Sequence, residues 1–142
     1  MAAGPTVKQI LETYPDKIRL VIKNYPYKYR DFSKIAAEAS LAAKDQGKYW
    51  EMHDILITRS PRLDRASLIA YAAELGLNVK KFTDSIDGGK HAKEIESDVQ
   101  LAESLDLFNT PTFYINGRQV IGERPFDYFK KLIDEELQQA GR

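Results

Sequence analysis

Asn109-Thr110-Pro111-Thr112-Phe113-Tyr114-Ile115-Asn116-Gly117 carries the signals of a loop, a strand and a tight turn in succession. Thr112 to Ile115 is short and rich in aromatic and branched residues, the composition of a half-buried strand. Asn116-Gly117 follows at once, the pair that best tolerates the positive φ angles of a two-residue type I′ hairpin. Arg118-Gln119-Val120-Ile121 supplies a second β-prone run, so a hairpin is expected over residues 112–121. Beyond it, Pro125 suits a first helical turn, where its missing N–H is not needed. Phe126, Phe129, Leu132, Ile133 and Leu137 then recur at helical spacing.

Working back from the hairpin, the period changes from two to 3.6. Ile95, Val99, Ala102 and Leu105 share one face of a helix expected over residues 91–105. Asn78 caps a short helix that Gly88-Gly89 stops, and Asp64 caps another that Gly76 stops. Tyr49 to Thr58 forms a further helix after Gly47. Asp31 or Ser33 is expected to cap the Ala-rich helix that runs to Lys44. Ile18 to Lys23, short and branched, reads as a strand, and Pro5 opens a first helix carrying Val7, Ile10, Leu11 and Tyr14. The expected order is helix, strand, several helices, hairpin, helix.

Composition narrows the function. The 142 residues suit one domain with a real core, 43% hydrophobic and 30% charged. Lys plus Arg and Asp plus Glu are 21 each, so no global field favours nucleic acid or an anionic membrane, and neither partner is expected. No apolar run reaches the length of a membrane span. Met1-Ala2-Ala3-Gly4-Pro5 has no basic or apolar region of a secretory signal and reads as a truncated or artificial start. The cysteine count is zero, which removes disulfides, thiolate nucleophiles and Cys-ligated metals from this chain.

The element order, the Asn109–Gly117 stretch, and the inserted segments Gly47-Lys48-Tyr49-Trp50-Glu51-Met52-His53-Asp54-Ile55-Leu56 and Ala72-Ala73-Glu74-Leu75-Gly76-Leu77 together resemble the DsbA-like family of thiol–disulfide oxidoreductases. The resemblance covers Pro5 to about Leu137. It implies an α/β thioredoxin-like fold with a helical subdomain inserted over about 31–106, all within one domain, 1–142. It also implies a periplasmic or other extracytoplasmic setting. In that family a strand leads into a Cys-x-x-Cys at the N-terminus of the first helix, where the helix dipole lowers the thiol pKa. A proline like Pro5 follows a few residues later, so the first strand and the dithiol are expected to be missing here. The resemblance further implies a cis bond at Pro111 and a loop, Thr110, Pro111 and Thr112, that pairs with extended polypeptide. The expectation is therefore a redox-inactive domain without catalytic residues, metal or cofactor. A non-catalytic module binding a peptide or a second copy of the chain is the alternative. A glutathione-dependent relative ranks last, because Ala2, Ala3 and Gly4 stand where it would need a hydroxyl.

Other features read as structure. Trp50, Met52 and His53 form an apolar helical stripe of the kind that usually packs a core. His53 and His91 lack a fixed set of carboxylates, so no metal site is expected, and His91 reads as solvated. Tyr25-Pro26-Tyr27-Lys28-Tyr29-Arg30 interleaves aromatic and basic residues and reads as a loop packed on the helices. Glu94, Glu96, Asp98 and Glu103 read as a solvated helix face. If the first strand is missing, the strands flanking it must pair directly or borrow an edge from a second chain, and association is expected.

Overall fold

The computed structural model describes residues 3–141. Among these residues nine elements follow one another: α1 (Ala3–Thr13), α2 (Ser33–Lys44), α3 (Tyr49–Thr58), α4 (Arg65–Glu74), α5 (Val79–Asp87), α6 (Ala92–Ser104), β1 (Thr112–Ile115), β2 (Arg118–Ile121) and α7 (Phe126–Ala140). They fall into two compact units, Met1–Ile22 with Asp106–Arg142, and Lys23–Leu105. The second holds α2 to α6.

In the first unit the hairpin forms as its turn dictates. Asn116 and Gly117 both take positive φ, 49° and 88°, and β1 pairs antiparallel with β2 in the register Thr112↔Ile121 to Ile115↔Arg118. The alternate residues Phe113 and Ile115 turn toward α7, and Val120 is buried opposite them. Ile10, Tyr14, Val120, Phe129, Leu132 and Ile133 make the core, with Phe113 set edge-on to Phe129 at 4.9 Å between ring centroids. The Tyr14 hydroxyl donates to Asp134 Oδ1 at 2.6 Å and so ties α1 to α7. Burial and that carboxylate together push the phenol's pKa upward.

In the helical unit, α2 packs against α3, α4, α5 and α6. Its alanines let the neighbouring helices approach closely, and Met52, Leu68 and Phe82 fill the centre. Two side-chain caps settle the entries. Asp64 accepts from Ser67 N at 3.0 Å, and Asn78 Oδ1 accepts from Lys81 N at 2.9 Å.

Three local expectations are corrected. Residues 18–23 do not form a strand: among the described residues the sheet is the β1–β2 pair alone, and no backbone–backbone hydrogen bond holds 18–23. Branched residues favour a strand only where a neighbour completes the ladder, and this segment has none. Ile18 and Leu20 still alternate with exposed Arg19 and Val21, as strand residues would. Neither Asp31 nor Ser33 caps α2. Phe32 occupies that position with φ 64° and no side-chain cap. Finally, Trp50 is exposed, so only Met52 of that stripe belongs to the core.

Candidate functional site

The loop before β1 presents the residues singled out by sequence. The Thr110–Pro111 peptide bond is cis. The Pro111 carbonyl accepts from Gly122 N at 2.8 Å, which extends the hairpin ladder one step beyond Thr112. Thr112 Oγ1 donates to the Asn109 carbonyl at 2.7 Å and closes the loop on itself. Thr110 is exposed, and Pro111 and Thr112 are half-buried. The three residues are thus held by the hairpin on one side and open to solvent on the other.

One feature of this unit was not singled out from sequence, and a second follows from the strand expected to be missing. Phe108, two residues before Thr110, is 73% exposed. Its ring is therefore open to solvent close to the loop. Next, β1 is paired with β2 alone among the described residues, so its other edge carries backbone groups without a strand partner. Beside that edge runs an apolar groove of about 450 Å³, lined by Ile10, Leu11, Ile18, Leu20, Phe113 and Ile133 among others.

The histidines and acidic residues of the helical unit sit differently from their sequence reading. His91 is not solvated: its side chain is 11% exposed, with Nε2 2.9 Å from Asp45 Oδ2 and Nδ1 3.5 Å from Glu94. Asp45 also accepts from Lys90 Nζ at 2.6 Å. Burial pushes the Asp45 carboxyl up, yet the bonds from Lys90 and His91 outweigh it and leave the pKa lowered. A carboxylate depressed in the folded state stabilises it above the ordinary value of 3.8 and loses that contribution as pH falls through the depressed one. Acid titration followed by circular dichroism should therefore show Asp45→Asn losing less stability than the parent below about pH 4. Equal acid sensitivity would place the acid-labile group elsewhere.

Asp98 does not lie on a solvated face either. It is 5% exposed, and its carboxylate accepts from Lys23 Nζ at 3.0 Å and from Asn24 N at 2.9 Å, fixing the chain's entry into the helical unit. His53 packs against Tyr49 and Trp50, with Nδ1 buried, 3.6 Å from Asp54 Oδ1 and without a hydrogen-bond partner among the described residues. No group of three metal-ligating side chains gathers among the described residues, and no helix there is long and apolar enough to cross a membrane.

Comparison with known proteins places the chain. A family model described as thioredoxin matches residues 2–135. The solved thioredoxin-like oxidoreductase from Silicibacter pomeroyi DSS-3 superposes with a TM-score of 0.85 at 26% identity, over 96% of this chain and 78% of that one. The thiol–disulfide exchange protein alpha-DsbA2 from Wolbachia pipientis shares the fold, with a TM-score of 0.83 at 23% identity over 95% of this chain and 73% of that one. The chain therefore belongs to the thioredoxin family, and its fold is the DsbA-like variant with helices inserted before the final hairpin. Among curated sequences, it is 36% identical over 118 residues to a protein named Na(+)/H(+) antiporter NhaA 1 from Salinispora arenicola. It is 38% identical over 109 residues to one named Na(+)/H(+) antiporter NhaA from Herminiimonas arsenicoxydans. These matches cover 82% and 77% of this chain but only 18% and 17% of those proteins, so the chain spans less than a fifth of their length.

Proposed function

We propose that this chain is a redox-inactive DsbA-like domain whose cis-proline loop, Thr110, Pro111 and Thr112, binds extended polypeptide. One observation carries the first half: a fold shared with proteins named as a thioredoxin-like oxidoreductase and a thiol–disulfide exchange protein occurs here on a chain with no cysteine. Attack by a thiolate on a disulfide sulfur is the reaction step, so the chemistry has no nucleophile in this chain. The second half is supported by the exposed loop, the exposed Phe108 beside it and the open edge of β1. An extended peptide adding to a sheet edge gains main-chain hydrogen bonds, while an apolar side chain can seek Phe108. An extracytoplasmic setting accompanies this reading, supported by the resemblance and by a structural neighbour described as periplasmic. The antiporter name belongs to much longer proteins and is not carried over. Neither is a glutathione-dependent activity: Ala3 and Gly4 occupy the first turn of α1, and Ala2 lies outside the described residues.

Two measurements test the proposal. Insulin reduction and refolding of reduced ribonuclease should proceed no faster than a blank lacking protein; turnover by a preparation free of contaminating oxidoreductase would overturn the redox-inactive reading. Titration with an unfolded, cysteine-free peptide, followed by amide resonances, should shift Thr110, Thr112 and β1 first. Shifts confined to other elements would remove the loop from the binding role.

Self-association is the second reading, favoured by the apolar groove beside β1 and by residues 18–23, which make no backbone–backbone hydrogen bond among the described residues. A second copy lending a strand would satisfy both rows of backbone groups. Sedimentation equilibrium over a tenfold range of concentration should then show a monomer–dimer equilibrium, and a strict monomer throughout would exclude it.

A further inference from the structure

A second groove lies wholly within the helical unit, about 670 Å³ in volume. Its floor is aliphatic, formed by Ile35, Ile86, Ile95 and Val99. One rim carries Lys28, Arg30 and Lys34, all exposed, and among the described residues none of the three has a carboxylate within ion-pair distance. Behind that rim stands an aromatic ladder. Tyr27 and Tyr29 stack with centroids 5.2 Å apart and 15° between planes, and Tyr25 meets Tyr27 edge-on at 5.7 Å. Two successive turns, Arg30 N to Tyr27 O and Ser33 N to Arg30 O, hold the rim in place.

Phe32 sits at the same rim and breaks two rules at once. It is 48% exposed, although a phenyl ring gains by burial, and its φ of 64° lies in the left-handed region that favours glycine. A bulky residue kept there against its backbone preference points to a contact that a glycine could not make.

We propose that this groove docks an acidic peptide segment carrying an aliphatic side chain, the side chain entering the aliphatic floor and the carboxylates meeting Lys28, Arg30 and Lys34. The site is separate from the cis-proline loop and does not rest on the reading given to that loop. Charge selects the class of partner. Three uncompensated cations on one rim attract an anionic chain. Glu38 and Glu96 also line the groove and repel any anion placed over them, so the ligand's acidic groups must be confined to the cationic rim, a spacing open to a peptide and closed to a uniformly charged phosphodiester backbone. A peptide, by contrast, offers N–H donors that those carboxylates can accept. The four branched residues of the floor suit a branched side chain, whereas the aromatic rings that line the groove, Tyr27 and Phe32, stand at its rim.

Fluorescence anisotropy with the full chain tests this, using as probe a labelled glutamate-rich peptide with a central leucine. Saturable binding is expected, weakening as salt rises. Replacing that leucine by glycine should weaken it, and the double variant Lys28→Glu, Arg30→Glu should weaken it about tenfold, as two reversed rim charges imply. Phe32→Gly separates ligand contact from structure: relief of the left-handed backbone should raise the thermal midpoint while affinity falls. Affinity unchanged in both variants, or no binding to the parent, overturns the proposal. Equal or tighter binding of a labelled oligothymidylate would overturn it in favour of single-stranded nucleic acid.

Discussion

Phe82→Ala is expected to lower the stability of the helical unit by about 3–5 kcal/mol, read as a shift in the midpoint of urea unfolding by circular dichroism. Phe82 lies on the inner face of α5 and is fully buried with Ala39, Ala42, Met52, Leu68 and Ala72. Truncation removes the transfer free energy of the ring and leaves a cavity. How far the cavity closes sets where in that range the loss falls. Three of the neighbours are alanines whose Cβ atoms move only with their helices, and α2 is held by four other helices. Little collapse is available, so the upper half of the range is expected. A whole domain is stable by only about 5–15 kcal/mol, so this one change removes a large share. Phe82→Leu, which keeps most of the volume, should cost clearly less. A loss under about 1 kcal/mol for Phe82→Ala would show that α5 can settle into the gap. The same variant bears on the acidic-peptide groove, because Ile86, one turn further along α5, forms part of its floor.

What could be read from sequence follows how locally each feature is determined. The hairpin was legible because Asn116-Gly117 needs nothing outside itself to prefer a tight turn. The entries of α4 and α5 were legible for the same reason, since Asp64 and Asn78 bond amides three residues ahead. Features that depend on distant partners were not. Asp98 reads as a surface acid until the fold brings Lys23 and Asn24 to it across more than seventy positions, and His91 looks solvated until Asp45 arrives. Residues 18–23 fail in the opposite sense. Their composition satisfies a strand, but strand identity belongs to a pair of segments and not to one. Phe32 could not be found by any rule of preference, because preference argues against a phenylalanine at positive φ. The groove residues were on view as an aromatic–basic run, yet the run acquires a partner class only once Ile86, Ile95 and Val99 from other helices supply its floor.

The second large effect is expected at Phe129. Phe129→Ala should destabilise the unit that holds the hairpin by about 3–5 kcal/mol, again through a lost aromatic ring and the cavity left behind. Phe129 is buried on α7 with Ile10, Tyr14, Val120, Leu132 and Ile133, and its edge-on contact with Phe113 adds about 0.5–1.5 kcal/mol beyond burial. That contact is what seats β1 on α7, because Phe113 and Ile115 are the β1 side chains packed against this core. A two-stranded ribbon is at best marginal in water by itself, so the hairpin depends on that seat. Amide exchange should therefore speed up across residues 112–121 in the variant, with the Gly122 amide that bonds Pro111 O losing protection alongside. Binding of an extended peptide at Thr110, Pro111 and Thr112 should fall in parallel, since the loop is ordered through that bond. Tyr14→Phe provides the comparison. It removes only the hydroxyl bonded to Asp134, leaves the ring packing in place, and should cost about 1–2 kcal/mol without opening the hairpin. If exchange in the hairpin is unchanged in Phe129→Ala while the unit as a whole is destabilised, the hairpin holds its shape without the α7 core, and the loop's order must come from the turn alone.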